Sequence, residues 1–274
     1  MQLRFFDAHS HVQDKQFDHD RNAVFECMKE KGVGAIVAGA DMRMNENGVA
    51  LVALHEGLWA TVGIHPVEGL TEMEKGETTP LLEAPLARLR ELALKEKVVA
   101  IGECGLDYFY KPKAEVFERQ AALFRAQIRL AQELGLPLMV HIRPTKGSRD
   151  DAYLDALPIL DEFPEAKGNI HFFAGTWSVA QEFLSRGFTL SFTGVITFAR
   201  DYDEVIKNLP LDMILSETDC PYVAPAPYRG MRNEPVYVEV VVKKMAEIRG
   251  ESLEIVRQAT VLYALRVFKI PGTI

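Results

Sequence analysis

Hydrophobic residues along the chain form short runs that alternate with longer stretches of helical spacing. The short runs are rich in β-branched and aromatic residues and end at glycine, proline or polar residues, which is typical of buried strands. Eight of them predict strands: LRFFDAH, VGAIVAG, LWATVGI, VVAIGEC, LPLMVHI, GNIHFF, FTLSFTG and DMILSETD. Each run except the last is followed by a helical or partly helical stretch before the next run begins.

The clearest helical pattern is EVFERQAALFRAQIRLAQEL. Its apolar stripe, with steps of four and three residues, consists of Phe117, Ala121, Phe124, Ile128 and Ala131. A glycine and a proline follow it, as expected at a helix end. EPVYVEVVVKKMAEIRG and SLEIVRQATVLYALRVF predict two closing helices, and Ser252 is a candidate N-cap of the second.

Strands that alternate with helices pair in parallel, because each helix returns the chain to the same edge of the sheet. Eight such units in 274 residues predict an α/β fold, a (β/α)8 TIM barrel that forms a single domain over residues 1–274. A doubly wound open sheet is the alternative, but no glycine-rich phosphate-binding sequence follows the first strand. The barrel is therefore the predicted fold.

Charge and cysteine content narrow the possible functions. A formal charge of −8 argues against a protein that coats duplex DNA or anionic membranes, although bound metal cations can still create a local anion site. Cys27, Cys104 and Cys220 are scattered without metal-binding or disulfide spacing. No leader sequence and no membrane-spanning run is recognisable. We therefore expect a cytoplasmic protein without a membrane partner.

Ligand-type side chains concentrate at the C-terminal ends of the predicted strands, where TIM barrels hold their active sites. These residues are His9, His11, His65, Glu103, His141, His171 and Asp219. His9 and His11 share a face because side chains alternate along a strand, and Asp7 is expected beneath them, where it could orient a histidine ring.

Six of these residues predict a metal centre: His9, His11, Glu103, His141, His171 and Asp219. They are too many for one tetrahedral zinc with an open water position, and they suit two divalent ions about 3.5–4 Å apart. Zn, Mn, Fe or Co fits such mixed ligation, and Mg fits with more water. His65 could instead simply turn its strand into a loop. Cys104 and Cys220 lie at the opposite strand parity and are expected to be packing residues.

Several motifs occur in the order seen in the TatD-like metal-dependent hydrolases, a branch of the amidohydrolase superfamily. They are DAHSH, GIHP, GECGLDY, HIR, HFFAG and SETDCPYVAP, and PYRGMRNEP follows them. The resemblance covers nearly the whole chain. It implies a TIM barrel that holds two divalent ions and hydrolyses phosphodiester bonds, as a deoxyribonuclease acting from a 3′ end.

By motif position, the resemblance also implies roles for individual residues. His9, His11 and Asp219 would hold the first ion, and His141 and His171 the second. Glu103 would bridge the two ions, and Asp219 would accept the proton of the attacking water. His65 and Arg143 would line the pocket as candidate contacts to substrate phosphate.

The sequence also departs from the family pattern at the pocket rim. Val67 stands where the family often has a second histidine, and Phe172 and Ala174 replace a cysteine and a serine or threonine. Tyr263 stands where asparagine is usual. None of these changes removes a predicted metal ligand, so they bear on the substrate and not on hydrolysis.

Two other functions stay open. The same ligands could serve a hydrolase of carboxylic esters or amides, such as an aminoacyl-ester deacylase or a lactonase-like enzyme. A non-catalytic metal-binding scaffold is the second alternative, but Glu103 and Asp219 are both present. A phosphate substrate needs cations near the metals, and the candidates are Arg143, Lys146, Arg149, Arg229 and Arg232.

The predicted substrates are single-stranded nucleic acid ends or small phosphoesters. The predicted substrate contacts are His65, Arg143 and Arg229, and no obligate protein partner is inferred.

Overall fold

Eight parallel strands curve into a barrel whose neighbours follow chain order from first to last. The structure, a computed structural model, describes residues 2–68 and 80–271. The strands in these residues are β1 (Phe5–Ser10), β2 (Val33–Ala38), β3 (Leu58–Val62), β4 (Val98–Asp107), β5 (Leu138–Arg143), β6 (Gly168–His171), β7 (Thr189–Phe192) and β8 (Ile214–Ser216). All eight predicted strands are therefore present.

A helix follows every strand. The α-helices of the described residues are α1 (Arg21–Lys31), α2 (Met42–Leu54), α3 (Pro80–Ala93), α4 (Lys113–Leu134), α5 (Asp151–Asp161), α6 (Trp177–Ser185), α7 (Asp203–Asn208), α8 (Val238–Arg249) and α9 (Leu253–Val267). The predicted (β/α)8 TIM barrel is confirmed. The predicted domain extent, 1–274, also includes residues 1, 69–79 and 272–274, which lie outside the described residues. None of the helices within 2–68 and 80–271 is long and apolar enough to cross a membrane.

Three sequence predictions concern helix ends. The striped helix is α4, and Gly135 ends it with a φ of 65° in the left-handed region. Ser252 caps α9, because its side chain accepts a hydrogen bond from the backbone N–H of Ile255. The helix predicted from Glu234 begins later, since Pro235–Tyr237 form a 3-10 turn before α8. A proline in the first turn and the apolar spacing are both compatible with a 3-10 turn and with an α-helix, so the sequence does not distinguish the two.

Two glycines let β4 lie very close to β5. Gly102 and Gly105 have φ values of 136° and 146°, and an added Cβ would lie 2.1 Å and 2.0 Å from the carbonyl oxygens of Met139 and His141. No other residue type tolerates this approach. The β4–β5 register also shifts between Ile101 and Cys104, so Glu103 lies at an irregularity that can re-aim its side chain.

The barrel closes between β1 and β8 through few backbone contacts. In the part of the chain that the structure describes, a single isolated bridge pairs Ser10 with Cys220. The backbone N–H of His11 donates to the Cys220 carbonyl at 2.8 Å, and that of Asp219 donates to the His9 carbonyl at 2.9 Å. This seam therefore places the segment after β8 directly beside the predicted ligands of β1.

Candidate metal centre

The six predicted metal ligands converge at the C-terminal ends of the strands. His9 lies in β1 and His11 just after it, Glu103 lies in β4, His141 in β5 and His171 at the end of β6, and Asp219 follows β8. They form two triads, and within each triad the ligand atoms lie within 4.8 Å of one another. The first triad is His9, His11 and Asp219, and the second is Glu103, His141 and His171.

Glu103 belongs to the second triad and also faces the histidines of the first. Its Oε2 is 3.5 Å from His9 Nε2 and 3.7 Å from His11 Nε2. Its Oε1 is 2.8 Å from His141 Nδ1 and 2.9 Å from His171 Nε2. Each carboxylate oxygen therefore faces a different histidine pair, which is the geometry that a bridging ligand requires.

Asp219 completes the first triad from the seam. Its Oδ1 lies 3.7 Å from His9 Nε2 and 3.5 Å from His11 Nε2. The residue has a φ of 55°, in the left-handed region that aspartate and asparagine tolerate better than most residues. This turn at the end of the seam carries the carboxylate back over the barrel mouth.

The nitrogen atoms of each histidine pair are very close together. His9 Nε2 lies 3.1 Å from His11 Nε2, and His141 Nδ1 lies 3.1 Å from His171 Nε2. On the other side of the rings, the Nδ1 atoms of His9 and His171 are buried without a hydrogen-bond partner, and these two histidines form a further metal-capable group with Glu217. Buried polar groups normally have partners, and imidazole nitrogens that face carboxylates are the ligands that transition-metal ions prefer. The residues therefore fit divalent cations.

The electrostatics of the cluster favour ionised carboxylates and a neutral imidazole at His9. Burial opposes ionisation of Glu103, but the neighbouring histidines, above all the charge of His171, hold its pKa well below the usual value. The pKa of Asp219 is also lowered, because the hydrogen bond from His11 and the histidine charges outweigh burial. Burial and the charge of His171 lower the pKa of His9. Although burial opposes it, the neighbouring carboxylates raise the pKa values of His11, His141 and His171, so these rings would release protons on binding a metal.

Asp107 supports the second triad, a role that the sequence analysis missed. His141 Nε2 lies 3.0 Å from Asp107 Oδ2, while Nδ1 of the same ring faces Glu103. A carboxylate in this position fixes the orientation of a ligand histidine. The predicted strand ended at Cys104, but β4 continues to Asp107 and brings it to the same face as Glu103. The sequence signal was the aspartate of the GECGLDY motif, because it follows Glu103 by an even number of residues and therefore lies on the same face of the strand.

Glu217 is a second missed residue, and it is fully buried. Its Oε1 lies 3.5 Å from His171 Nδ1 and accepts a hydrogen bond from the backbone N–H of Phe172 at 2.7 Å. Its Oε2 accepts from Ser191 Oγ at 2.5 Å. Glu217 therefore holds the end of β6 from below. The signal was its position two residues before Asp219 in SETD.

The predicted role of Asp7 is wrong. Its carboxylate orients no histidine ring, because it accepts hydrogen bonds from the backbone N–H and the hydroxyl of Thr218, at 2.8 and 2.5 Å, and from the backbone N–H of His9. The His11 ring instead bonds through Nδ1 to the Ala38 carbonyl at 2.9 Å. The Thr218 donors, which the barrel seam brings to Asp7, satisfy its carboxylate.

The three predicted substrate contacts occupy different positions. His65, on the loop after β3, lies inside the cluster, with Nε2 3.6 Å from Glu103 Oε1. Burial and the charge of His141 lower its pKa to about 3. Arg143 ends β5 and stacks on Phe109, whereas Arg229 lies on the exposed loop after β8 and stacks on Phe198. The structure therefore brings His65 to the ligands and leaves Arg143 at the end of β5 and Arg229 on a loop at the same barrel end.

The other candidate cations differ in availability. Arg232 pairs with Asp20 and Glu234. Arg149 donates to the carbonyls of Gly175 and Asp201, at 3.3 and 3.2 Å. Both side chains hold loops together, whereas Lys146 is exposed.

The cysteines of the barrel are not part of the cluster. Cys104 and Cys220 are fully buried, and burial raises the pKa of each thiol. No metal-capable group within residues 2–68 and 80–271 includes a cysteine. The position of both side chains is that of small packing residues.

Replacing Asp107 with asparagine is expected to weaken metal binding by about 10- to 100-fold, because the His141 ring loses its carboxylate partner. A competition titration against a chromogenic chelator measures the change. Asp155→Asn is the matched control, since Asp155 also accepts hydrogen bonds, from Tyr108 and Lys113, without touching a histidine. Equal affinities for the two variants would contradict the positioning role of Asp107.

Comparison with known proteins agrees with this geometry. The family model TatD related DNase matches residues 6–269. The chain is 38% identical over 270 residues to the uncharacterized metal-dependent hydrolase YabD of Bacillus subtilis, covering 97% of this chain and 99% of that protein. It is 35% identical over 272 residues to the 3′-5′ ssDNA/RNA exonuclease TatD of Cronobacter sakazakii, covering 96% and 97%.

Among solved structures, YjjV, a TatD homologue from Escherichia coli, superimposes with a TM-score of 0.84 at 29% identity, covering 99% of this chain and 100% of that one. Sequence and structure thus agree over almost the full length of the chain. The chain belongs to the TatD-related DNase family of metal-dependent hydrolases.

Proposed function

We propose that the protein is a two-metal phosphodiesterase, a deoxyribonuclease that removes nucleotides from the 3′ ends of single strands. The observation that carries this proposal is the position of Glu103, whose two carboxylate oxygens face two separate histidine pairs. A single-metal centre would need neither the second pair nor a carboxylate between them. Paired ions suit displacement at phosphorus, because they stabilise both the attacking and the leaving oxygen.

The two triads supply the ligands in this proposal. His9, His11 and Asp219 would hold one ion and His141 and His171 the other, with Glu103 as the ligand that both pairs face. When bound, such ions lower the pKa of water and neutralise charge on phosphoryl oxygens. Zn, Mn, Fe, Co and Mg are all compatible with this donor set.

The protein's own groups perform the remaining steps. Asp219 accepts the proton of the attacking water and passes it to the leaving oxygen, because its lowered pKa keeps the carboxylate ionised. Asp107 holds the His141 ring, and Glu217 holds the Phe172 backbone next to His171. His65 lies at the edge of the cluster, where it can contact a phosphate oxygen.

Two arginines support a phosphate substrate over a neutral ester. Arg143, at the end of β5, and Arg229, on the loop after β8, lie at the barrel mouth, and among the described residues neither pairs with a carboxylate. Their charges therefore stay available to an anionic substrate. The relative from Cronobacter sakazakii bears the name of a single-stranded DNA and RNA exonuclease, which points to the same substrate class.

The proposal also places the protein in the cytoplasm. Cys27, Cys104 and Cys220 are all unpaired thiols in the structure. Unpaired cysteines are usual in reducing compartments and uncommon in secreted proteins. Localisation of a tagged chain in cell fractions tests this part.

A substrate panel tests the proposed function. Metal-free protein is reloaded separately with Mn²⁺, Mg²⁺ or Zn²⁺ and assayed on 3′-labelled and 5′-labelled single-stranded DNA, RNA, duplex DNA and p-nitrophenyl carboxylic esters. Stepwise shortening of single-stranded DNA from the 3′ end is expected. Turnover of the carboxylic esters with no cleavage of any nucleic acid would replace the proposal with the esterase alternative.

Salt dependence provides a second test of how the strand is held. We expect two to four phosphate contacts, so log KM against log salt should have a slope of about 1.4 to 2.8 in magnitude, at roughly 0.7 per contact. Arg143→Ala should reduce that slope by less than one unit for every sequence, as expected of a phosphate contact.

Lys207→Ala is the control for this test, since it removes an exposed charge from the last turn of α7, at the opposite end of the barrel. A steep slope in the wild type, or efficient cleavage of closed circular single strands, would reveal an extended binding groove and contradict the prediction.

A further inference from the structure

Among the described residues, the exposed aromatic side chains lie at one end of the barrel. Phe109 and Tyr110 follow β4, Phe198 follows β7 and Tyr222 follows β8. Among residues 2–68 and 80–271, these four are the exposed large aromatic side chains. Every one lies on a loop after a strand, at the end that carries the metal ligands.

The opposite end of the barrel does not share this feature. Its exposed large apolar residues include Leu54, which ends α2, and Leu94, which follows α3, and both are aliphatic. Leaving aromatic surface in water is unfavourable, so its concentration around one opening indicates a ligand that covers it.

Two of the aromatic loops carry a stacked arginine. The guanidinium carbon of Arg143 lies 3.7 Å from the ring centre of Phe109 and 5.3 Å from that of Tyr110, and Arg143 also donates a hydrogen bond to the Tyr110 hydroxyl at 3.3 Å. We call these three residues the Phe109 platform. The guanidinium carbon of Arg229 lies 4.0 Å from the ring centre of Phe198, and this pair is the Phe198 platform.

The Phe109 platform is joined directly to the second triad. The backbone N–H of Phe109 donates to Asp107 Oδ1 at 2.8 Å, and the other oxygen of Asp107 contacts His141. Arg143 lies two residues after His141 in β5. A group that rests on this platform therefore lies beside the predicted reaction centre.

Tyr222 lies beside the first triad. Its ring centre is 6.3 Å from that of His11, in an edge-to-face arrangement, and its backbone N–H donates to the Asp219 carbonyl at 3.0 Å. Aromatic surface therefore approaches the cluster both from the β4 side and from the β8 side.

We propose that the Phe109 and Phe198 platforms are stacking subsites for the nucleobases of a single-stranded substrate. The inference rests on the proposed function and adds to it the recognition of bases, which metals and phosphate contacts cannot supply. Stacking on aromatic rings accepts any base, because every base has a π face, and arginine adds both cation–π contact and a charge for the backbone. The subsites thus select unpaired strands without selecting a sequence.

This arrangement also excludes the interior of a duplex. Paired bases are already stacked on their neighbours, and separating them costs a few kcal/mol. The frayed or single-stranded end of a chain avoids that cost. Selection for ends therefore follows from base stacking as well as from the few phosphate contacts.

Alanine substitution combined with base removal tests the subsites. Phe109→Ala and Phe198→Ala are assayed on a short oligothymidylate and on the same oligonucleotide with single abasic positions near the 3′ end. Each substitution is expected to raise KM for the normal strand by about 5- to 150-fold, the range of one lost base–aromatic stack. For each platform, one abasic position should raise the KM of the wild type by a similar factor. On the oligonucleotide with that abasic position, the corresponding alanine substitution should raise KM little further.

Two further variants separate stacking from general damage. Phe109→Trp keeps an aromatic face and should retain a KM close to that of the wild type. Leu94→Ala removes an exposed apolar side chain from the opposite barrel end and should change neither KM nor kcat. Metal content and thermal unfolding are measured for each variant, because both phenylalanines are partly exposed and their truncation should leave the fold intact.

The possible outcomes separate the two proposals. Strand cleavage that Phe109→Ala and Phe198→Ala leave unchanged, or reduce equally on normal and abasic strands, would overturn the stacking subsites and leave the nuclease proposal standing. If the wild type cleaves no nucleic acid, the nuclease proposal fails first and the subsites fail with it. If the alanine substitutions raise KM on the normal strand but not on the strand with a defined abasic position, both the stacking subsites and the nuclease proposal are supported.

Discussion

Asp219→Asn is expected to lower kcat by more than the roughly 10²- to 10⁴-fold that loss of a general base alone produces. The substitution removes the proposed proton acceptor and at the same time weakens a candidate metal ligand of the first triad. KM should change much less than kcat, since the predicted substrate contacts lie on other residues. Steady-state kinetics on a 3′-labelled single strand, together with elemental analysis, measure both effects.

Asparagine is the appropriate replacement at this position. Asp219 has a φ of 55°, and asparagine adopts that conformation more readily than alanine does, so the backbone turn should survive. Asp41→Asn is the matched control: Asp41 caps α2, and asparagine caps equally well. A kcat close to that of the wild type would remove Asp219 from the mechanism.

Removal of metal should abolish turnover, and Mn²⁺, Mg²⁺ or Zn²⁺ should restore it. The ligands hold ions whose chemistry the proposed reaction requires, and no alternative nucleophile such as an activated cysteine lies in the described cluster. Treatment with a chelator, dialysis and elemental analysis before each assay provide the measurement. Full activity in protein proved free of metal would contradict the two-metal proposal.

Metal removal should also lower the thermal stability. Ions that bind only the folded chain stabilise it by about 2.7 kcal/mol when the metal concentration is 100 times Kd, which corresponds to a rise in Tm of roughly 5–10 °C. Calorimetry of the metal-free and reloaded protein measures this difference without any substrate. An unchanged Tm would indicate that the histidine cluster does not bind the added ion.

The fold and the six candidate ligands were predictable because they follow from local pattern. Strand parity places His9 and His11 on one face, and the barrel architecture brings strand ends together. Neither argument needs knowledge of side-chain partners. The eight strands and the convergence of His141, His171 and Glu103 therefore agree with expectation.

The supporting residues were harder to find, because their roles depend on contacts between distant parts of the chain. Asp107 escaped notice since glycines let β4 run four residues beyond Glu103. Asp7 was given the wrong role because nothing in its own segment shows that Thr218 will meet it, 211 positions away. Pairing of Arg232 with Asp20 is equally long-range, at 212 positions. Local pattern predicts which side chains face the barrel mouth, and the folded chain decides what each one binds.

The seam between β1 and β8 has a consequence for biosynthesis. His9 and His11 leave the ribosome long before Asp219 and the Thr218 donors for Asp7, because 211 positions separate Asp7 from Thr218. A nascent chain that has not reached Asp219 has an incomplete first triad and an open barrel edge. We therefore expect fragments that end before Asp219 to lack the first triad and any turnover that depends on it.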